Sequence, residues 1–386
     1  MSGEHNALDL TLRIELFTAL KRAGAARIIT YAAADTARLR PADHDKERVA
    51  AMTIVPADST DTTVITDFDQ LLPRRRLRLG SRTSHLAMAY ANRVVEAIRS
   101  ALPHIDIEIV AIKTSGDAWK GDLAQLGGKG AFMKEIDAAM VAGQIDMAVH
   151  AMKDVPGDVP LPEGLMFAAY LPREDVRDCV VWRSGSRHAS LDELPPGSVI
   201  GTSAVRRKAQ ILQARPDLQV VPFRGNVIPR LTKLDENDDR IEALVLARIG
   251  LVRAGVSDRV GQILEMDRMC PAIGAGVIGV QCREADEGIR ELLRLVDHPE
   301  TRTHITAERT MLQGLQGHCN SPIAGHCTTT PDGRLSLTGM VFSRDGGEFA
   351  YAHESDTLDR APELGALVAA TLARKGARDI IAGIPH

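Results

Sequence analysis

One loop combines the residue types that could carry out covalent chemistry. The segment Leu315-Gln-Gly-His-Cys-Asn-Ser-Pro-Ile-Ala324 sets Cys319 between glycine and a polar Asn-Ser-Pro turn, which is typical of an exposed loop and not of a core strand. An accessible thiol that ionises can act as a nucleophile or an attachment point, although a lone cysteine is more often a small buried apolar residue. We therefore take Cys319 as a candidate functional thiol.

Positive charge is concentrated in one segment of a chain whose formal net charge is −4. Between Ser203 and Leu234 a single acid, Asp217, stands among seven basic residues, which are Arg206, Arg207, Lys208, Arg215, Arg224, Arg230 and Lys233. Arginine is suited to bidentate recognition of carboxylate or phosphate. Lys208 and Lys233 are expected to lie on a solvated helix face. The arginines predict that the ligand is anionic.

Two short segments resemble each other and predict anion-binding turns. Leu79-Gly-Ser-Arg-Thr-Ser84 and Ile200-Gly-Thr-Ser-Ala-Val205 each place glycine and hydroxyl residues between an apolar strand and a helix. Such a helix start presents free backbone N–H groups and the positive end of the helix dipole. Arg82, Ser84, Thr202 and Ser203 lie in these turns, and the two units that carry them are expected to face each other across a cleft.

A glycine-rich loop and one acid complete the set of candidate residues. Leu126-Gly-Gly-Lys-Gly130 carries Lys129 but lacks the glycine and the hydroxyl residue that a Walker A loop requires. Carboxylates are therefore the better interpretation of the anion. Asp154 directly follows a predicted strand, where ligands of open α/β sheets bind, and could stabilise a cation or move a proton. Such a Lys-Asp-Val-Pro turn is more often a surface turn.

Composition excludes several classes of protein. A pI near 6.3 and only 3% aromatic residues argue against a general nucleic-acid binder, and no apolar run reaches the roughly 18–20 residues that span a bilayer. The N-terminus lacks the order of a signal peptide. The odd number of scattered cysteines does not form a disulfide framework and favours the cytoplasm; they are Cys179, Cys270, Cys282, Cys319 and Cys327.

Alternating strand and helix patterns begin at Leu77 and predict parallel sheets covered on both faces. The first 76 residues differ, with an amphipathic helix expected within Leu8–Ala25, followed by an acid-rich stretch that ends in Pro73-Arg-Arg-Arg76. We interpret them as an N-terminal extension without an assigned role. From about Pro299 the pattern changes to a small α+β unit that carries the cysteine loop.

Taken together, the motifs from about Leu77 to Ile384 resemble those of the porphobilinogen deaminase (hydroxymethylbilane synthase) family. The segments that carry the resemblance are Leu79-Gly-Ser-Arg-Thr-Ser-His-Leu-Ala87, Gly127-Gly-Lys-Gly-Ala-Phe-Met-Lys-Glu135, Ala148-Val-His-Ala-Met-Lys-Asp-Val-Pro156, Gly201-Thr-Ser-Ala-Val-Arg-Arg207, Arg224-Gly-Asn-Val227 and Gly317-His-Cys-Asn-Ser-Pro322. The resemblance implies that four porphobilinogen molecules are joined head to tail into hydroxymethylbilane with release of ammonia, in tetrapyrrole biosynthesis.

The family also implies roles for individual residues. Cys319 would carry a covalent dipyrromethane cofactor through a thioether, and Asp154 would assist loss of ammonia and stabilise the azafulvene cation. The residues expected to hold the cofactor and the acidic side chains of the pyrroles are Arg82, Ser84, Lys129, Thr202, Ser203, Arg206, Arg207, Arg224, Gly225 and Arg230. No metal is expected, and the partner is the small-molecule substrate, with no nucleic acid or membrane.

The implied fold has two periplasmic-binding-protein-like α/β domains around a cleft, a small C-terminal α+β domain and the N-terminal extension. The expected boundaries are residues 77–172 with 275–296 for the first domain, 173–274 for the second and 297–386 for the third. A cytoplasmic monomer is expected.

This chain departs from the usual family residues at several positions, which are Tyr90, Ala151, Ala275, Gln281, Gln316 and His318. None of the changes removes the thiol, the acid or the paired arginines, so an active enzyme is the main interpretation. Two alternatives remain open. One is a divergent or non-catalytic paralogue that binds a polycarboxylate in the same cleft. The other is zinc bound by the repeated Gly-His-Cys of 317–319 and 325–327, although adjacent His-Cys pairs lack the usual ligand spacing.

Overall fold

A computed structural model describes residues 76–118, 130–236, 240–317 and 321–384, together with the two short strands Met52–Thr53 and Val64–Ile65. Those two strands pair antiparallel. The helix predicted within Leu8–Ala25 lies outside the described residues, and so do Lys129 and Cys319.

The elements from residue 77 onward are as follows. The strands are β1 Leu77–Arg82, β2 Ile107–Ile112, β3 Met147–Ala151, β4 Leu165–Tyr170, β5 Asp178–Trp182, β6 Val199–Gly201, β7 Gln219–Val221, β8 Ile241–Ala247, β9 Gln262–Leu264, β10 Ile278–Arg283, β11 Ile323–Thr329, β12 Leu335–Phe342 and β13 Phe349–Asp356. The helices are α1 His85–Ala101, α2 Ser115–Ala118, α3 Lys134–Val141, α4 Val205–Ala214, α5 Val227–Glu236, α6 Arg248–Arg253, α7 Glu287–Arg294, α8 Pro299–Leu315, α9 Ala361–Arg374 and α10 Ala377–Ala382.

The first sheet has the strand order β2-β1-β3-β10-β4. Strands β1, β2 and β3 are parallel, as the alternating pattern predicted, but β10 runs antiparallel to both β3 and β4. Helix α1 begins where the Ser84 hydroxyl accepts a hydrogen bond from the Ala87 N–H, and it buries Val94 and Ile98 against the sheet. The prediction of purely parallel sheets is therefore wrong, because a distant part of the chain returns into the middle of this one.

The second sheet has the order β9-β5-β8-β6-β7 and is also mixed. Strand β8 is parallel to β6 and antiparallel to β5, and apolar side chains alternate between two separate cores on its faces. Leu244 faces one core and Val245 faces the other, since successive residues of a strand point to opposite sides. A strand covered on both faces must be apolar throughout, which explains the Ala-Leu-Val-Leu sequence of β8.

The third unit packs α8 and α9 on an antiparallel sheet of order β11-β12-β13. Its core contains Met311 from α8, Leu337 from β12 and Val368 from α9. This unit has the α+β character that was expected from about Pro299, and its strand β11 carries the second Gly-His-Cys segment. No helix in the described ranges is both long and apolar enough to cross a membrane.

Two crossing segments, residues 171–177 and 265–277, connect the first sheet to the second. They run side by side, with the Glu174 N–H donating to the Gly276 carbonyl at 3.0 Å and Arg173 Nε donating to the Ala275 carbonyl at 2.9 Å. Gly276 has a φ of +71°, and a Cβ added there would lie 2.5 Å from the carbonyl oxygen of Glu174. The close approach of the two segments therefore requires glycine at this position.

We expect Gly276→Ala to lower the free energy of unfolding by roughly 2 kcal/mol more than Gly185→Ala does. Both glycines have a positive φ, but nothing lies within 4 Å of a Cβ added at Gly185. The loss of stability in Gly185→Ala therefore reports backbone strain alone. The additional loss in Gly276→Ala reports the steric clash between the crossing segments. Denaturant unfolding of both variants checks this, and equal losses would contradict it.

Candidate functional site

Asp154 lies just beyond β3, at the end of a short 3-10 turn formed by Met152–Asp154. Its carboxylate is paired with Arg82 Nη1 at 3.2 Å, and about a third of its side chain, 37%, is exposed. Arg82 comes from the end of β1, the strand next to β3 in the sheet. The structure thus brings together the acid and the first arginine that the sequence analysis selected.

Arg82 is held on its other side by Asp117, which the sequence analysis did not select. The Arg82 guanidinium donates to both carboxylate oxygens of Asp117, with Nη2 2.6 Å from Oδ1 and Nε 3.1 Å from Oδ2. Burial alone would raise the pKa of Asp117, but the hydrogen bonds from Arg82 and Thr114 outweigh it and hold that pKa below its usual value. Asp117 stays ionised and orients Arg82 toward Asp154.

Arg206 and Arg207, at the start of α4, share one buried carboxylate. Asp178 accepts from Arg206 Nη2 at 2.7 Å and from Arg207 Nη2 at 2.8 Å. Burial by itself would raise the pKa of Asp178, but the two positive charges hold it well below its usual value. Arg206 is 7% exposed and also donates to the Cys270 carbonyl, so Arg207 is the more accessible of the pair.

The hydroxyl residues of the two predicted turns are engaged by the protein. The Ser84 hydroxyl accepts from the Ala87 N–H and the Ser203 hydroxyl accepts from the Phe223 N–H, at 3.3 and 2.9 Å. Thr202 is buried. Helix α4 has no side-chain cap and no acidic residue in its first turn, so its N-terminus retains the positive character that was predicted for it.

Further cations stand around the same region. Lys153, adjacent to Asp154, is exposed to the cleft but enclosed by its walls, and this desolvation lowers the pKa of its ammonium group. Burial and then the charge of Arg207 lower the pKa of Arg230 to about 10. Gly225, with a φ of +121°, precedes the helix that carries Arg230. Sequence reasoning missed Lys153, although its place beside Asp154 was a usable signal.

These side chains surround a cleft of about 1530 Å³ between the first and second sheets. The charged residues that line it are Lys153, Asp154, Asp175, Asp178, Arg206, Arg207 and Arg224. Gly317 and Ser321, on either side of residues 318–320, also line it. The cleft therefore meets the cysteine loop at both flanks, while Cys319 itself lies outside the described residues together with Lys129 and His318.

The cleft fits a covalently held polycarboxylate. Ten side-chain polar atoms of the described residues are buried without a hydrogen-bond partner, and one of them, the hydroxyl oxygen of Ser321, belongs to the cleft lining. Arg207 and Lys153 add positive charge on the wall. An anion with several carboxylates would satisfy such groups, since buried donors are otherwise paired in folded proteins.

Four of the five departures that the structure describes lie at or behind this cleft. Tyr90, Ala151 and Ala275 line it. Gln281 is fully buried on β10, where its side chain joins His150 and Asp137 through hydrogen bonds of 2.9 Å each. Gln316 ends α8 in the left-handed conformation, with a φ of 55°.

The described ranges contain no group of three His, Cys, Asp or Glu side chains arranged to hold a metal ion. Cys327 is buried on β11, and His326 Nδ1 lies 3.4 Å from the Glu308 carboxylate. The second Gly-His-Cys segment is thus part of a packed strand and not of a loop.

The class of protein that emerges has two mixed α/β units around a cationic cleft that holds one partly exposed acid, with a third unit carrying a loop at the cleft wall. Two family models match this chain. "Porphobilinogen deaminase, dipyromethane cofactor binding domain" covers residues 77–291, and "Porphobilinogen deaminase, C-terminal domain" covers residues 302–374.

Similar proteins agree with these matches. "Porphobilinogen deaminase 2" of Streptomyces coelicolor is 48% identical over 311 residues, which cover 80% of this chain and 97% of that protein. "Porphobilinogen deaminase" of Pelobacter propionicus is 44% identical, with coverage of 80% and 97%. The chain belongs to the porphobilinogen deaminase family.

Solved structures that are similar in fold include the methionine binding protein MetQ, at 14% identity and a TM-score of 0.36, covering 59% of this chain and 92% of that one. A putative sulfonate-binding protein from Methylobacillus flagellatus is 16% identical, with a TM-score of 0.34 and coverage of 62% and 68%.

We expect Asp178→Asn to destabilise the protein by about 3–5 kcal/mol, because it leaves two guanidinium groups of the cleft wall without their buried counter-charge. Asp217→Asn is the matched control, since the Asp217 side chain is 35% exposed and pairs with Arg215 at 2.6 Å, and its loss should be much smaller. Thermal and denaturant unfolding check both variants.

The effect of Asp178→Asn on stability should also depend on pH. Because the folded-state pKa of Asp178 is lowered, its stabilisation is complete above the ordinary aspartate pKa of about 4 and decreases as pH falls below it. The difference in stability between the parent protein and Asp178→Asn should therefore shrink as pH falls from 6 toward 3. A difference that grows on acidification would contradict the assignment.

Proposed function

We propose that this chain is a hydroxymethylbilane synthase that joins four porphobilinogen molecules head to tail, with release of ammonia, in tetrapyrrole biosynthesis. Membership of the porphobilinogen deaminase family supports the reaction. The observation that carries the proposal is the cleft, which Asp154 lines together with Lys153 and Arg207 while it remains partly exposed and paired with Arg82.

The chemistry of the substrate suits this cleft. Each porphobilinogen brings two carboxylates, so the growing product becomes strongly anionic and needs several cations along one wall. Arg207, Arg224 and Lys153 line the cleft, and arginine binds carboxylates in a fixed bidentate geometry. We assign carboxylate binding to the residues predicted from the sequence, which are Arg82, Ser84, Lys129, Thr202, Ser203, Arg206, Arg207, Arg224, Gly225 and Arg230, and we add Lys153.

Asp154 is the proposed catalytic residue. Its carboxyl group, when protonated, would deliver the proton to the leaving amino group, and the carboxylate that remains would stabilise the positive charge that develops on the substrate carbon. Arg82 positions the carboxylate from one side at 3.2 Å. Because Asp117 already neutralises Arg82, the arginine orients Asp154 without adding a full uncompensated charge to the reacting groups.

The cofactor is dipyrromethane, which we propose is attached through a thioether to Cys319 and supplies the primer on which substrate units are added. The other cysteines are unsuited to this role. Cys179, Cys270, Cys282 and Cys327 are all free and buried, and burial raises their pKa values to about 12, 12, 11 and 12. Such thiols are poor nucleophiles at neutral pH.

We further propose the domain division expected from the sequence, with residues 77–172 and 275–296, residues 173–274 and residues 297–386 as the three domains. The crossing segments that connect the first two sheets support the division between the first and second domains. A monomer in the cytoplasm is proposed as well. Buried cysteines without disulfide partners in the described ranges suit a reducing compartment.

The deciding experiment is the intact mass of the purified protein with a Cys319→Ser variant beside it. We expect the parent protein to carry an excess mass equal to one dipyrromethane, and Cys319→Ser to lack it. Cys327→Ser is the matched control, because a buried cysteine on β11 should leave the excess mass unchanged. An unmodified mass in a folded sample exposed to porphobilinogen would instead favour a paralogue that binds polycarboxylates without turnover.

Replacing the proposed acid should remove turnover without unfolding the protein. We expect Asp154→Asn to lower kcat by about 100-fold or more, while the melting temperature changes little because the side chain is partly exposed. Glu163→Gln, an exposed acid on the turn before β4, is the control and should retain activity. Steady-state release of ammonia measures both, and normal turnover by Asp154→Asn would exclude Asp154 as the catalytic acid.

A further inference from the structure

Four side chains form a cluster that joins the two α/β units beside the cleft. Tyr90 and Arg93 lie one turn apart on α1 of the first unit, and Arg253 ends α6 of the second. The guanidinium carbon of Arg253 lies 4.2 Å from the centroid of the Tyr90 ring. Glu174, on the first crossing segment, forms ion pairs with both Arg93 and Arg253. We call these four residues the Tyr90 cluster.

Three of the four residues of the cluster are shielded from solvent, and the Arg93 side chain is 35% exposed. Tyr90 is 9% exposed, and the side chains of Arg253 and Glu174 are 13% and 16% exposed. Shielded cation–π and ionic contacts are stronger than exposed ones, because water competes less for the charge. Burial raises the pKa of Tyr90, with the charge of Arg253 opposing it, so its ring remains a neutral phenol at physiological pH.

The type of residue at position 90 matters to the charge balance. Two guanidinium groups share the single carboxylate of Glu174, which leaves an excess of positive charge. The face of an aromatic ring attracts a cation, so the Tyr90 ring stabilises Arg253 through a contact that a non-aromatic side chain does not make. This contact is therefore specific to a chain with an aromatic residue here.

The position of Tyr90 links the cluster to the site. Tyr90 lines the large cleft of about 1530 Å³ and also a smaller cavity of about 420 Å³ that contains Arg82, Ser84 and Asp154. Its ring thus stands at the boundary between the space around the proposed acid and the space lined by arginines. Replacing this ring would therefore alter the distance across the opening between these two spaces. It would also alter the contact between the two units.

We propose that Tyr90 is a positioning residue that, together with Arg253, clamps the two α/β units at the boundary between the Asp154 cavity and the arginine-lined cleft. The clamp fixes how far the units separate on this side of the crossing segments. The effect of the clamp on chain growth rests on the proposed function, since each added pyrrole unit must be accommodated in the same cleft. The clamp itself is independent of that function.

Hydrogen exchange of the full-length protein tests the clamp without reference to activity. Tyr90→Phe keeps the ring face and should exchange like the parent protein. Tyr90→Leu keeps apolar volume but removes the ring, and amides of residues 171–177 and 248–253 should then exchange at least about threefold faster. Arg99→Ala, an exposed change on the same helix, should leave those amides unchanged. Parent-like exchange in Tyr90→Leu would overturn the proposal.

Intact mass and kinetics then test the effect on chain growth. During turnover, Tyr90→Leu should shift the distribution of proteins carrying added pyrrole units and lower kcat by at least about threefold, whereas Tyr90→Phe should do neither. An unaltered distribution and kcat in Tyr90→Leu would refute a positioning role. If the parent protein acquires no pyrrole units, the proposed function fails, while the exchange experiment still decides whether the clamp exists.

Discussion

The buried pairing of carboxylates with arginines is the interaction on which the rest of this structure depends. A cleft that binds a polyanion must hold several cations close together before the ligand arrives, and their mutual repulsion opposes folding. Asp178 offsets that repulsion for Arg206 and Arg207, and Asp117 does so for Arg82. Each carboxylate compensates part of the positive charge of its arginine partners, so several guanidinium groups can stand close together at the cleft.

A buried pair of a carboxylate and an arginine also attaches the third unit. Glu308, fully buried on α8, is paired with Arg173 of the first crossing segment at 2.6 Å and accepts the N–H groups of Gly274 and Cys327 at 2.8 Å each. One side chain therefore joins both crossing segments to β11. Burial alone would raise the pKa of Glu308, but Arg173 and His326 outweigh it and lower the pKa to about 2. The cysteine loop thus follows a helix that is anchored at the junction of the two α/β units.

Local features of the site were predictable from the sequence, and distant pairings were not. Asp154 and Arg82 were found because each follows a strand end, and strand ends are visible in a local apolar pattern. Asp117 also follows a strand end, that of β2, but neither its role nor that of Asp178 was predictable, since an acid becomes a partner only when the fold brings it beside a particular arginine. The contact between Tyr90 and Arg253 joins two helices on different sheets, which no short pattern specifies. Strand β10 was not predicted for the same reason, and its antiparallel pairing makes the first sheet mixed, as the antiparallel pairing of β5 does in the second.

The departures from the usual family residues change how charge is distributed behind the site. Gln281 is one of these departures; its amide nitrogen donates to Asp137, and its carbonyl oxygen lies 2.9 Å from His150 Nε2. Burial lowers the pKa of His150 to about 4, with the hydrogen bond to Gln281 opposing and the nearby charge of Arg82 adding to the effect, so the imidazole is neutral at physiological pH. A neutral His150 must donate its Nε2 proton to the amide oxygen, which fixes its tautomer. The wall beside Arg82 and Asp154 therefore gains no cation from His150, and the pair keeps the charge balance that Asp117 sets.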